Sequence, residues 1–285
     1  MLRYLPKRKG GRLSNVATFC TACDDMVKGD AVWNMERTLQ SGEEASDGSF
    51  HVGIAALNAA PVVVKLMDDG RMARQEVRVQ RLFRERPHPN IVQGICDFEC
   101  EDSPIRWQRR LRAPLPLCVA EDGAKSIILV VQEYIEKGNV SALGDVWPMD
   151  LWTSVVLQLT FAAMEWFDTY GFLYGDWHFG NVLLDVTAEQ EVVYRAFRRR
   201  WVVRTASVRP ALTDFARSEV RPVGRLEPWL LASQLGTIWD MLHRECPVAE
   251  LRVATQRASI SIGDAESVDD IVAGVKDWCR HVAKT

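Results

Sequence analysis

The amino-acid sequence predicts an α+β protein, because strand-like runs and helical periodicities occupy different parts of the chain. Short β-branched runs crowd the stretch from residue 36 to 134 around one helical pattern, and long helical patterns dominate from residue 149 onward. The length of 285 residues suits one large domain or two lobes with a sizeable core. An apolar fraction of 47% and a charged fraction of 26% are ordinary for a globular chain. The net charge of -3 gives no global attraction to nucleic acid or to acidic membranes, so neither is expected as a partner. No apolar run approaches the roughly 18 residues of a membrane span. The basic stretch 1–11 lacks the apolar segment of a secretory leader, and a cytoplasmic location, with nuclear as the alternative, is the expectation.

Residues 1–30 are basic, then mixed, without periodicity, and are expected to form an N-terminal extension. From residue 36 the chain reads as short strands, of which 60–67 is the clearest, bounded by Pro61 and by Asp68-Asp69-Gly70. Residues 71–86 read as a helix, with Val77, Val79, Leu82 and Phe83 among charges. The run Pro87-His88-Pro89-Asn90-Ile91-Val92 leads into another strand. Residues 101–125 are polar, Pro-containing and Arg-rich, as expected of a surface insertion. Residues 126–134 read as a buried strand, and 149–169 as a long helix through Leu151, Val155, Leu159, Ala162, Ala163 and Trp166.

After the short apolar strand Val182-Leu183-Leu184 comes a second insertion near 187–209, carrying Arg195, Arg198, Arg199, Arg200, Arg204 and Arg209. A solvated hairpin accounts for this run most simply; a docking surface for an acidic partner is the alternative. Residues 230–243 read as an apolar helix and 268–283 as an amphipathic closing helix. The 7 cysteines form no framework and fit reduced thiols. Cys20-x2-Cys23 and Cys96-x3-Cys100 have the spacing of half-sites for zinc, yet the gap between them is long and no nearby His completes a familiar pattern.

The stretch Tyr174-Gly175-Asp176-Trp177-His178-Phe179-Gly180-Asn181 is the candidate for the chemistry, although an Asp-x4-Asn pair taken alone is common in loops. Its Asp-x4-Asn spacing suits one carboxylate near an attacking hydroxyl and one amide on a metal ion. Lys65 ends an apolar strand; held by a carboxylate, its ammonium can reach the phosphates of a nucleotide. Glu76 on the following helix is the natural partner, with Glu85 as the alternative. Asp214, at a strand end, joins Asn181 in offering the hard oxygen ligands that Mg²⁺ prefers. Asp176 would accept or orient the proton of the acceptor hydroxyl.

In this order along the chain, Val62-Val63-Val64-Lys65, Glu76, His88-Pro89-Asn90-Ile91-Val92, Gln132-Glu133-Tyr134-Ile135, Asp176-x4-Asn181 and Asp214-Phe215-Ala216 resemble the protein kinase-like superfamily. The resemblance implies a two-lobed fold: an N-lobe over 31–135, built from an antiparallel sheet plus one helix, and an abbreviated, mainly helical C-lobe over 136–285. It implies ATP and Mg²⁺ as cofactors. Lys65 would orient the phosphates, Gln132 would guard the back of the pocket, and backbone groups of Glu133 and Ile135 would hold the adenine. Gly42, Gly48, Phe50 and Val52 are counterparts of a degenerate glycine-rich loop, with Val52 over the adenine. Asp176 would be catalytic, His178 would hydrogen-bond the transferring phosphoryl group, and Asn181 and Asp214 would hold metal.

Departures from the family pattern carry expectations of their own. Tyr174-Gly175 stands where the family has His-Arg, so no cation awaits a phosphorylated activation loop, and activity independent of loop phosphorylation is expected. No Ala-Pro-Glu motif follows Asp214. Residues 88–92 and Glu133-Tyr134-Ile135-Glu136-Lys137-Gly138 favour a protein serine/threonine kinase. Gly175, His178 and the short C-lobe resemble the aminoglycoside and choline kinase type, which acts on small molecules. The expectation is a protein substrate, with a pseudokinase binding module as the competing class.

Overall fold

A computed structural model describes residues 32–282 except 34, 45–47, 58–59, 103–114, 117–124, 141–147, 225, 247 and 264. The expected extension 1–30 and most of the expected insertion 101–125 lie outside the described residues. The protein is α+β. It divides into two compact units, Met1–Tyr134 and Ile135–Thr285.

The first unit is built on a five-stranded sheet in the order β2-β3-β4-β7-β5, antiparallel throughout. Its strands are β2 (Met35–Glu44), β3 (Gly48–Leu57), β4 (Ala60–Asp68), β5 (Gly94–Asp102) and β7 (Lys125–Glu133); the two-residue strands β1 (Val32–Trp33) and β6 (Leu115–Pro116) pair separately. β4 and β7 lie inside the sheet, which is why their apolar residues run continuously: Val62, Val63, Val64 and Leu66 on β4, and Ile127 through Val131 on β7, are all buried. Helix α1 (Arg71–Glu85) follows the Asp68-Asp69-Gly70 turn and stops directly before Arg86-Pro87, because a residue before proline is pushed out of the helical region. Ala73, Val79 and Phe83 line its buried face, and Ala73 packs on Ile128 and Val130 of β7. Val79 and Phe83, both 0% exposed, each contribute about 1.5–3 kcal/mol of burial.

In the second unit α2 (Met149–Glu165) passes into a single π turn (Trp166–Tyr170) and ends at Gly171. Gly171 has φ 64°, and a Cβ there would lie 1.9 Å from the Arg221 carbonyl oxygen, so glycine is required twice over. Six short strands then form three antiparallel ladders: β8 (Phe172–Leu173) with β13 (Glu219–Val220), β9 (Val182–Val186) with β12 (Val208–Leu212), and β10 (Glu191–Ala196) with β11 (Arg199–Arg204). Helices α3 (Pro228–Glu245), α4 (Ala249–Gly263) and α5 (Val268–Val282) complete the unit. α2 is buried on nearly every side, including Trp152, Val155, Leu159 and Met164, and Trp239 of α3 donates its indole N–H to Thr160 Oγ1 at 3.2 Å.

Three observations depart from the sequence reading. Helix α4 appears where no periodicity announced one. The second insertion forms the expected hairpin, β10–β11, but Arg209 lies outside it on β12, where it is buried and paired with Asp185 at 3.1 Å and Glu189 at 3.7 Å. Cys96 is disulfide-bonded, whereas Cys246 and Cys279 are free thiols. A disulfide depends on two Cα atoms meeting in space, which spacing along the chain does not encode. Burial raises the pKa of both free thiols, that of Cys279 to about 12. Among the described residues, no helix is long and apolar enough to cross a membrane.

Candidate functional site

In the first unit, Lys65 stands on β4 opposite Val52 of β3 and Val130 of β7. Its Nζ donates to Glu76 Oε1 at 2.8 Å, and the two side chains are 8% and 0% exposed. Glu85, the alternative partner, is exposed at the last residue of α1. Gln80 follows Glu76 by one turn on the same helix face. Its Nε2 donates to Gln132 Oε1 at 3.1 Å and lies 3.5 Å from Glu76 Oε1. Lys65, Glu76, Gln80 and Gln132 thus form one buried polar chain joining β4, α1 and β7.

Glu133 is occupied on two sides. Its backbone N–H donates to the Gln93 carbonyl at 3.0 Å, and its Oε1 accepts the Gln93 N–H at 2.9 Å. The turn before β5 is closed locally, with His88 Nδ1 accepting the Asn90 N–H at 3.1 Å. Gly42 on β2 pairs with Phe50, and Gly48 opens β3 opposite Glu44; the tip between them, 45–47, lies outside the described residues. Val52 is half-buried beside Lys65.

In the second unit two loops are brought together by ladders at both ends. Residues 174–181 run from β8 to β9, and residues 213–218 run from β12 to β13; β8 pairs with β13 and β9 with β12. Leu212 lies opposite Val182, and the Thr213 N–H donates to the Asn181 carbonyl at 3.1 Å, so Asn181 and Asp214 emerge at the same end of one ladder. Tyr174 Oη donates to the Thr213 carbonyl at 2.6 Å, a second tie between the loops.

Side chains of the first loop alternate. Tyr174, Trp177 and Phe179 are buried, while Asp176 is partly exposed and His178 exposed. Below, Tyr174 meets Trp177 edge-on at 4.9 Å, Phe215 lies 6.0 Å from Tyr174, and Phe179 packs on Trp152 at 5.2 Å. This aromatic floor holds Asp176 and His178 outward. Three side chains face the Asp176 carboxylate: Asn181 Nδ2 donates to Oδ2 at 3.1 Å, His178 Nε2 lies 3.6 Å from Oδ2, and Arg217 lies 3.8 Å from Oδ1. Because Asn181 directs its Nδ2 to Asp176, donating also to the Asp176 carbonyl at 3.2 Å, its Oδ1 faces away as an acceptor. An amide oxygen and a carboxylate on residues that leave the same ladder end are a donor set that suits Mg²⁺, with phosphate and water oxygens completing the shell. Among the described residues there is no cluster of three or more His, Cys, Asp or Glu able to hold a metal ion alone.

No family model matches this chain, and no curated protein matches it.

The sequence reading missed Arg217 and the purpose of two glycines. A Cβ on Gly175 would lie 2.0 Å from the Arg217 carbonyl oxygen, and one on Gly180 would lie 2.8 Å from His178 Nδ1. Each glycine makes room for a residue that touches Asp176. Gly175 carried the only available signal, as a residue without a side chain where the resemblance expected a cation. Ile135 begins the second unit, buried, with its carbonyl accepting the Gly138 N–H at 3.3 Å in a turn that docks on β9 through Leu184 N–H to the Gly138 carbonyl at 3.0 Å.

Proposed function

We propose that this chain is an ATP- and Mg²⁺-dependent phosphotransferase with a two-lobed, protein kinase-like fold that acts on serine or threonine hydroxyls of proteins. The observation that carries the reading is the buried Lys65–Glu76 pair. A lysine inside a sheet is costly to desolvate and persists only when its charge is met by a well-placed carboxylate. Such a pair fixes one ammonium in a defined place, as the orientation of nucleotide phosphates requires.

In this reading Lys65 orients the α- and β-phosphates, and the backbone around Gly42 and Gly48 borders them while Val52 covers the base. The Glu133 N–H already serves Gln93, so recognition of the adenine edge falls to the Glu133 carbonyl and to Ile135. Asn181, through Oδ1, and Asp214 would hold the metal; Mg²⁺ bound there supplies charge neutralisation to the phosphate oxygens. Asp176, its rotamer set by Asn181 Nδ2, orients the acceptor hydroxyl and takes its proton. His178 and Arg217 face the same carboxylate from its two oxygens and offer hydrogen bonds and positive charge to the phosphoryl group in transit. Catalysis would then rest on positioning and electrostatics rather than covalent chemistry.

Incubation with radiolabelled ATP, Mg²⁺ and generic protein substrates tests the reading. Wild type should transfer label, and Asp176→Ala should lower the rate about 10²–10⁴-fold while keeping a nucleotide-dependent thermal shift. Absence of transfer by wild type to any protein, itself included, or equal transfer by Asp176→Ala, would overturn it. Transfer confined to a small alcohol would keep the chemistry and reassign the acceptor.

A further inference from the structure

The β10–β11 hairpin has no part in the chemistry above, yet it holds a concentration of arginine that its own fold leaves unbalanced. Its register sets Arg195 directly opposite Arg200, Val193 opposite Val202, and Glu191 opposite Arg204. These rows share one face of the ladder. Arg195, Arg200 and Arg204 are exposed, whereas Val192, Tyr194, Ala196 and Val203 of the other face are buried, with Phe161 of α2 stacked on Trp201 at 4.7 Å. Directly opposed side chains in an antiparallel pair stand about 4.5–5.5 Å apart at Cβ, and like charges there are destabilising.

Among the described residues, no ion pair relieves the repulsion between Arg195 and Arg200. Among the described residues, no carboxylate oxygen lies within 4.0 Å of the side-chain nitrogens of Arg195, Arg198, Arg200 or Arg204, while neighbouring Arg199 is paired with Asp269 at 3.1 Å on the inner side. The nearby acids serve the backbone: Glu165 Oε2 accepts the Arg195 N–H at 3.1 Å, and Asp168 Oδ2 accepts the Phe197 N–H at 2.7 Å. The tip itself is strained. Phe197 and Arg198 have φ of 53° and 59°, a tight-turn geometry that usually takes Asn-Gly. The Asp168 bond and the Phe167–Phe197 ring contact at 6.3 Å hold that turn, and Arg198 is presented at its end.

We propose that the outward face of this hairpin is a docking surface for an acidic, extended segment of a partner protein. Successive rows on one strand face lie about 6.6–6.8 Å apart. Along β11, Arg200, Val202 and Arg204 therefore match an extended chain that places acid, apolar and acid side chains at every second position. The 43% exposed Val202 in the middle of the face suits an apolar side chain better than a sugar–phosphate backbone. Glu191 at one end breaks the uniform positive field that a polyanion or an anionic bilayer would prefer. The surface is independent of the phosphotransferase reading and stands or falls separately from it.

Fluorescence anisotropy with a labelled peptide of alternating glutamate and valine tests this directly, beside its lysine–valine counterpart, a DNA duplex and phosphatidylserine vesicles. The full chain should bind the glutamate peptide, with affinity falling as salt rises. Arg195→Glu combined with Arg200→Glu should weaken binding at least about tenfold by turning exposed attractions into repulsions. Arg195→Gln with Arg200→Gln should also lose binding while melting no lower than wild type, because it relieves the repulsion. No binding by wild type, equal binding by both variants, or binding of DNA or vesicles that is as tight and as dependent on these arginines would overturn the proposal.

Discussion

The charged constellations of the two units differ in how much water they keep. Lys65 and Glu76 are 8% and 0% exposed at the side chain, whereas Asp176, His178 and Arg217 are 27%, 47% and 59% exposed. A desolvated pair is all or nothing, since neither charge is tolerable alone, and its geometry is correspondingly fixed. A partly exposed carboxylate with one hydrogen bond at 3.1 Å and two nitrogens at 3.6 and 3.8 Å can lose any one of them to water. The first arrangement suits an anchor. The second suits a place where partners must be exchanged for a substrate.

The largest expected effect breaks the anchor. Glu76→Ala leaves the Lys65 ammonium buried without its carboxylate and should destabilise the first unit by about 3–5 kcal/mol. Equilibrium urea unfolding measures it. A loss under about 1 kcal/mol would instead class the pair with solvated ion pairs. The double change Lys65→Met with Glu76→Leu should recover most of the lost stability, because similar apolar volume replaces a desolvated pair, and it should still abolish the nucleotide binding proposed above.

Much of the first unit was legible because its signals are local or periodic. β4 and β7 are continuous apolar runs bounded by turns, and α1 shows its buried face at helical spacing before Pro87. The Asp176–Asn181 spacing was legible for the same reason. Arg217 was not, since it reaches Asp176 only through two ladders that join distant segments, and nothing in its own neighbourhood announces them. Tyr174-Gly175 read as the loss of a cation; in the structure Gly175 is the gap into which the Arg217 backbone fits. α4 escaped notice because its buried positions, Leu251, Thr255, Ala258 and Ile262, mix polar and small residues with apolar ones. Arg209 read as part of a solvated run because its partner Asp185 lies across the β9–β12 register.

A smaller effect should follow from Gly175→Ala, which tests whether the exposed constellation has any rigid part. The added methyl would meet the Arg217 carbonyl oxygen at 2.0 Å, and backbone on both sides leaves no flexible side chain to yield. Overpacking of this kind costs about 1–3 kcal/mol, and the displaced loop should lower transfer as well. Gly263→Ala is the matched control: like Gly175 it has no left-handed backbone, and nothing lies within 4 Å of its Cβ, so it carries neither strain nor clash. Equal unfolding energies for the two variants would show that the loops are not packed against each other as described.

The smallest effect on stability, and the most discriminating for function, is expected from Arg217→Ala. Its guanidinium is mostly in water and 3.8 Å from Asp176 Oδ1, so stability should change by no more than about 0.5 kcal/mol. Phosphate transfer should nevertheless fall about tenfold, because the cation faces the carboxylate where charge develops in the proposed reaction, at longer range than a direct hydrogen bond. Arg217→Lys should restore part of the rate, and Gln should not. The same cation bears on regulation. If Arg217 supplies from within the chain the charge that a phosphorylated loop would otherwise attract, phosphatase treatment should leave the wild-type rate unchanged. A phosphatase-sensitive rate, with Arg217→Ala no slower than treated wild type, would mean that the arginine receives a phosphate instead, and the exposed constellation would then be a switch rather than a standing site.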